Sequence, residues 1–105
     1  MTDTTIKGNI IEITNLDADW YGNVDADIHE MKISSIQFNP SAVDDIMIIH
    51  DGSLDGATLF KAKCEDVYDQ RVKYFNPPIW ANPVIDISDC TIASPNNAEV
   101  IIVAA

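Results

Sequence analysis

Positive charge is scarce in this chain: six lysines and arginines stand against seventeen aspartates and glutamates, a net charge of −11 at pH 7. A surface of that sign repels nucleic-acid phosphates and anionic lipid headgroups, so neither is expected as a direct partner. Histidine is nearly as rare. The two histidines, His29 and His50, lie in no HxH or HExxH spacing and in no nucleophile-elbow context. Four glycines form no phosphate-cradling loop. Cys64 and Cys90 stand far apart without CxxC spacing. They read as free buried thiols, with a disulfide as the alternative. No apolar run approaches the roughly 20 residues of a membrane-crossing helix. No window sustains apolar residues at helical period, so little or no helix is expected. These absences together leave no residues to assign to catalysis, so the protein is expected to be no enzyme and to need no cofactor.

What the chain does have is short apolar runs punctuated by turn residues. With 105 residues and 47% apolar content, a single domain spanning residues 1–105 can bury a core without staples. Seven strands are expected, at Ile6–Thr14, Glu30–Phe38, Asp45–His50, Ala57–Lys63, Gln70–Phe75, Val84–Ser88 and Ala98–Val103. Asn39-Pro40 stops the second strand, because proline cannot donate to a ladder and constrains the residue before it. Asp51-Gly52 and Asp55-Gly56 bracket a turn, and Asn76-Pro77-Pro78 and Ser94-Pro95 mark later ones. The fold class is therefore all-β, a compact antiparallel β-sandwich or flattened barrel. Residues 1–5 read as a flexible N-terminal arm and residues 15–29 as a long acidic loop. The opening MTDTTIKGN has neither a basic region nor a signal-length apolar stretch, so synthesis in the cytoplasm is expected.

Three local patterns carry more specific expectations. Met31 and Ile33 are out of phase with Ile36 and Phe38, which calls for a bulge near Ser34-Ser35. Ile46–Ile49 and Val100–Val103 are apolar on both faces, whereas a sheet with one wet face should alternate. Their second faces should be covered, by an overlying loop or by another subunit. His50, at the end of an apolar run and before Asp51-Gly52, reads as a strand-end residue hydrogen-bonded near a turn.

Candidate contact residues fall in two groups. Lys61 and Lys63 share one strand face, as do Arg71 and Lys73. If these strands paired as a hairpin, all four cations would meet outside, either neutralised by Glu65, Asp66 and Asp69 or forming a docking patch for an acidic surface. The aromatic segments Trp20-Tyr21 and Phe75-Asn76-Pro77-Pro78-Ile79-Trp80 read either as caps on the sandwich or as contact anchors. Asp17, Asp19, Asp25 and Asp27 surround Trp20-Tyr21 and are weak candidates for a Ca²⁺ site, lacking the glycine and distal glutamate of an EF-hand loop. A carbohydrate- or calcium-binding β-sandwich module, with Trp20, Tyr21 and Trp80 as stacking platforms, is the alternative to a purely structural interaction protein.

Ile33-Ser34-Ser35-Ile36-Gln37-Phe38-Asn39-Pro40, Asp45-Ile46-Met47-Ile48-Ile49-His50-Asp51-Gly52 and Ala57-Thr58-Leu59-Phe60 carry a resemblance. A strand ending in aromatic-x-Pro, an aliphatic strand closing on Asp-Gly and a strand opening on a small residue and an aliphatic resemble small virion accessory proteins of tailed bacteriophages. Pro77-Pro78-Ile79 and the Ala98–Val103 strand fit the same layout. The resemblance spans Met31 to the C-terminus and rests on pattern, with no invariant site. It implies a capsid decoration (cement) protein, or another head, tail or connector accessory protein. The partner it implies is the major capsid protein, the location is the capsid surface of the virion, and a homo-oligomer (dimer or trimer) is expected there.

Overall fold

The computed structural model describes residues 2–27, 30–66 and 70–105. They form two antiparallel sheets packed face to face, as expected of a β-sandwich. The five-stranded sheet has the order β1 (Asp3–Lys7), β2 (Ile10–Thr14), β9 (Glu99–Ala104), β4 (Met31–Asn39), β7 (Arg71–Ala81). The four-stranded sheet has the order β3 (Trp20–Tyr21), β8 (Pro83–Ile85), β5 (Ile46–Asp51), β6 (Thr58–Lys63). A single helical turn, α1 (Gly22–Asp25), and a 3-10 turn at Ile87–Asp89 complete the described elements.

The core is what period-2 alternation delivers to the space between the sheets. Ile11, Ile13, Ile33, Ile36, Phe38, Val100 and Ile102 come from one sheet; Trp20, Met47, Ile49, Phe60, Ala62 and Ile85 come from the other. The Ser34-Ser35 bulge is present: the β4 register shifts between Ile33 and Ser35 against both neighbours. It puts Met31 and Ile33 on the same buried side as Ile36 and Phe38. Opposite it, β7 spends Phe75–Pro78 between its two paired stretches, Arg71–Tyr74 and Ile79–Ala81. An edge strand tolerates this because prolines there remove donors that no neighbour uses.

Several expectations are corrected. Ile6–Thr14 is not one strand but a hairpin, β1 paired with β2 and Lys7 opposite Ile10. Gly8 takes φ +62° as the first of two central residues, the position where a tight hairpin turn wants glycine. Of the expected arm at residues 1–5, Met1 lies outside the described residues and the rest is not free: Asp3 to Thr5 lie in β1, and Thr2 Oγ1 donates to Ala18 O at 2.8 Å. The 15–29 loop holds β3 and α1; its Ile28 and His29 lie outside the described residues. The strand expected at Gln70–Phe75 runs on to Ala81, and that at Val84–Ser88 ends early in the 3-10 turn. Asp51 closes β5, so strands number nine among the described residues, against seven expected.

The largest correction concerns the supposed hairpin of cations. β6 and β7 do not pair; each is the edge of a different sheet. The phase of β7 is also inverted, with Arg71 and Lys73 opposite the inward Phe38 and Ile36 while Val72 and Tyr74 face outward. At a sheet edge this costs little, because a long cationic side chain can line the seam with its stem and keep its head in water.

Candidate functional site: the outer face of the five-stranded sheet

The two sheets treat their outer faces differently, and the candidate site follows from that. On the four-stranded sheet the outer residues are closed over where β8 meets the end of β5, while Ile46 and Ile48 further along β5 are half-buried. Val84 is 0% exposed although it lies outside the main core cluster, and its neighbour His50 is 9% exposed. The His50 ring is clasped from both sides, Nδ1 at 2.9 Å from Gly56 O and Nε2 at 3.1 Å from Asp89 Oδ2. Both partners are acceptors, so the ring is held as a structural tie between β5, the 51–57 turn and the 3-10 turn. Gly56 permits this close folding: a Cβ there would meet Asp51 O at 2.0 Å. Thr91 then bridges back to Ile46.

Among the described residues nothing comparable covers the five-stranded sheet. Its outward positions fall into rows set by the register. One row reads Lys7, Ile10, Val103, Ser35, Tyr74. The next reads Thr5, Glu12, Ile101, Gln37, Val72. Lys32 and Trp80 pair at one end, and Asn39 and Glu99 at the other. Tyr74 is 77% exposed, Trp80 63%, Val72 41% and Ile10 37%. Half-buried Ile101 and Val103 lie between them on the central strand β9. The polar end is ordered: Gln37 Nε2 donates to Asn39 Oδ1 at 2.7 Å, and Asn39 Nδ2 to Glu99 Oε1 at 2.6 Å. Tyr74, Trp80, Val72 and Ile10 leave apolar surface exposed on an antiparallel sheet face where polar residues are the rule.

The other residues singled out in the sequence are placed as follows. Trp20 is fully buried, with its Nε1 donating to Thr4 Oγ1 at 2.8 Å across the β3–β1 seam. It caps the sandwich from within, so its role as a contact anchor or stacking platform is withdrawn. Tyr21 is half-buried beside it. Phe75 packs on the core, Pro78 is half-buried, and Pro77 is exposed.

The four cations lie on the edge strands β6 and β7 of different sheets and do not share one face. Lys63 faces Asp44 at 3.8 Å and Arg71 faces Glu65 at 4.0 Å. Lys73 Nζ donates to Leu59 O at 3.2 Å and lies 5.1 Å from the Phe75 ring centre, closing the seam between the sheets. Lys61 is exposed on the outward side of β6. Asp69 lies outside the described residues.

The aspartates of the acidic loop are drawn into separate structural tasks. Asp19 Oδ1 accepts from Ile87 N at 2.9 Å, and Asp25 Oδ2 from Tyr21 N at 2.7 Å. Asp27 stands at φ +52°. Among the described residues no group of three metal-ligating side chains converges.

One chemically distinctive group was passed over in the sequence. Asp45 is 1% exposed and ionised in a nest of donors. Ser41 N reaches its Oδ2 at 2.7 Å, Ala42 N at 3.1 Å, and Ser41 Oγ also donates there; Ala93 N reaches Oδ1 at 2.9 Å. Burial alone would raise its pKa, but the donors from Ser41, Ala93 and Ala42 outweigh it and hold the carboxyl below its ordinary value. The available signal was Pro40-Ser41 four residues ahead of Asp45, a turn whose amides need an acceptor. Both cysteines are free. Burial first, then the carboxylates of Asp89, Asp86 and Asp19, push the Cys90 thiol up, so it stays protonated and unreactive.

Fold and face together define an antiparallel β-sandwich with one sheet face closed by its own chain and one bare. No protein-family model matches this chain, and neither a curated protein nor a solved structure matches it significantly.

Proposed function

We propose that the protein is a non-enzymatic assembly component of a tailed-bacteriophage virion, a capsid decoration protein that works by covering and bridging surface. The observation that carries this reading is the bare band of Ile10, Val72, Tyr74 and Trp80 on the five-stranded sheet. Burying apolar area of this kind contributes roughly 25 cal/mol per Å² removed from water. A chain with seventeen acidic residues and a net charge of −11 sets only Asp3, Glu12 and Glu99 on that face. The identity of the partner comes from the resemblance of the Met31–Val103 layout to small virion accessory proteins.

In this mechanism no bond is made or broken. The bare face supplies apolar contact, and the exposed Lys61, Lys63 and Pro77 along the β6–β7 side meet acidic surface on the shell. Each contact is modest, but many copies on one lattice add their effects. The carbohydrate alternative loses support with Trp20 inside the core. The test is direct: mass spectrometry of purified virions should find the chain in many copies per particle, and particles lacking it should lose resistance to heat or osmotic shock. Its absence from purified particles overturns the reading.

A further inference from the structure

Resting on that reading, we propose that the occupant of the bare face is a second copy of this chain, packed face to face about a two-fold axis that lies in the interface and runs across the strands. The charge pattern of the face selects both the partner and the axis. Its outward positions hold two of the chain's six basic residues, Lys7 and Lys32, and only three of its seventeen acidic ones, Asp3, Glu12 and Glu99. It is thus nearly neutral on a molecule whose remaining surface is strongly negative, and is the part of that surface on which two copies repel each other least.

The charges are also sorted along the strands. Lys32 lies with Trp80 at one end of β4, and Asn39 with Glu99 at the other. Lys7 is in the Ile10 row, whereas Glu12 is one row on and Asp3 one row further. A two-fold axis across the strands, midway between the two complete rows, turns each strand antiparallel onto its own counterpart. Val103 then lies against the partner's Ile101 and Tyr74 against the partner's Val72. The same operation brings Lys32 over the partner's Asn39–Glu99 end and Lys7 beside the partner's Glu12. A two-fold axis along the strands would instead set Lys32 near Lys32 and Glu99 near Glu99, which like-charge repulsion disfavours. The interface is isologous and closed, so assembly stops at the dimer. The β6–β7 side of each copy remains open for the shell.

The test is sedimentation velocity with light scattering on the purified full chain in about 0.15 M salt, where a Debye length of about 8 Å screens the repulsion between acidic copies. The expected result is a concentration-dependent dimer. Trp80→Glu and Tyr74→Glu, both at exposed positions on β7, should each weaken it by roughly tenfold or more, as for large aromatic side chains desolvated in an interface. Lys32→Glu should weaken it, and adding Glu99→Lys to Lys32→Glu should restore it; circular dichroism should show the fold retained throughout. A wild-type chain that stays monomeric, a trimer, or a dimer indifferent to Trp80→Glu overturns the inference. A monomer that is nonetheless found in purified virions sinks this inference alone and leaves the decoration role standing. A two-fold dimer that is absent from virions does the reverse.

Discussion

β5 and β9 read alike in the sequence and end in different surroundings. Each is a run of aliphatics, Ile46–Ile49 in one and Val100–Val103 in the other, and each becomes an interior strand of its sheet. Around β5 the His50 end of the outward side is closed by the protein itself, with His50 clasped between Gly56 and Asp89, while Ile46 and Ile48 stay half-buried near the Thr91 bridge. Around β9 the outward Ile101 and Val103 open onto a surface that continues to Ile10, Tyr74 and Val72. Apolar residues on both faces of a strand thus have two different meanings. One is a fold that wraps its own second face, and the other, on the function proposed above, is a second face kept for a partner.

The sharpest way to break this comparison is to put the same charge on both faces. Val84→Asp places a carboxylate at a position 0% exposed, beside a His50 ring already engaged by Gly56 O and Asp89, and should cost more than about 4 kcal/mol, enough to unfold much of the population. Val72→Asp makes the same exchange at a position 41% exposed and should cost below about 1 kcal/mol. Urea melts of the two variants should differ severalfold in loss of stability. Equal losses would mean that the two faces are not different in kind.

Next in size is Asp45, which pins the 41–45 turn to residue 93. Asp45→Ala strands several buried donors and should destabilise by about 3 kcal/mol. The pH dependence has a definite sign. The folded pKa is depressed, so this contribution is complete above the ordinary aspartate value of about 3.9 and is lost as pH falls through the lower folded value. The stability gap between wild type and Asp45→Asn should therefore shrink as pH is taken from about 5 to about 2, read from denaturant midpoints. A gap that widens on acidification would show that Asp45 is not held ionised.

The outline of the fold was legible because period-2 patterning and turn chemistry are local. The Ser34-Ser35 bulge, the Asn39-Pro40 stop and the turn contact of His50 all follow from adjacent residues. The β1–β2 turn was legible too and was passed over: Gly8-Asn9 is a two-residue hairpin signal inside what reads as one long strand. The β6–β7 relation was not legible. Which edges meet is set by sheet order, and the inward turn of Lys73 depends on Leu59 O being offered from the other sheet. Trp20 was hidden for the same reason, since its burial requires Thr4 on a strand that an expected flexible arm could not supply. Of the site, Trp80 could be named in advance. Ile10, Val72 and Tyr74 could not be joined to it without the strand order.

His50→Ala tests the closed side at intermediate cost. It removes a side chain that is 9% exposed and leaves Gly56 O short of a donor, which should destabilise by about 2 kcal/mol. On the scale of a chain this size that lowers the melting temperature by roughly 8–16 °C. A loss of the same size in His50→Phe would assign the effect to the ring's hydrogen bonds; full recovery in His50→Phe would assign it to packing.

The smallest expected effect is the most discriminating. Trp80→Glu exchanges the third most exposed large apolar side chain among the described residues, at 63%, for a charge opposite Lys32. If the bare face belongs to a partner, that tryptophan contributes almost nothing to its own monomer. The variant should stay within about 0.5 kcal/mol of wild type, the new carboxylate gaining a few tenths from the facing lysine. The comparison must be made dilute, below the concentration at which copies associate, because a dimer adds its own mass-action stability to the wild type. Measured that way, a loss above about 2 kcal/mol would mean that Trp80 holds the five-stranded sheet together from outside. The outer face would then be an exposed part of the fold, and the contrast with the closed side would be one of degree.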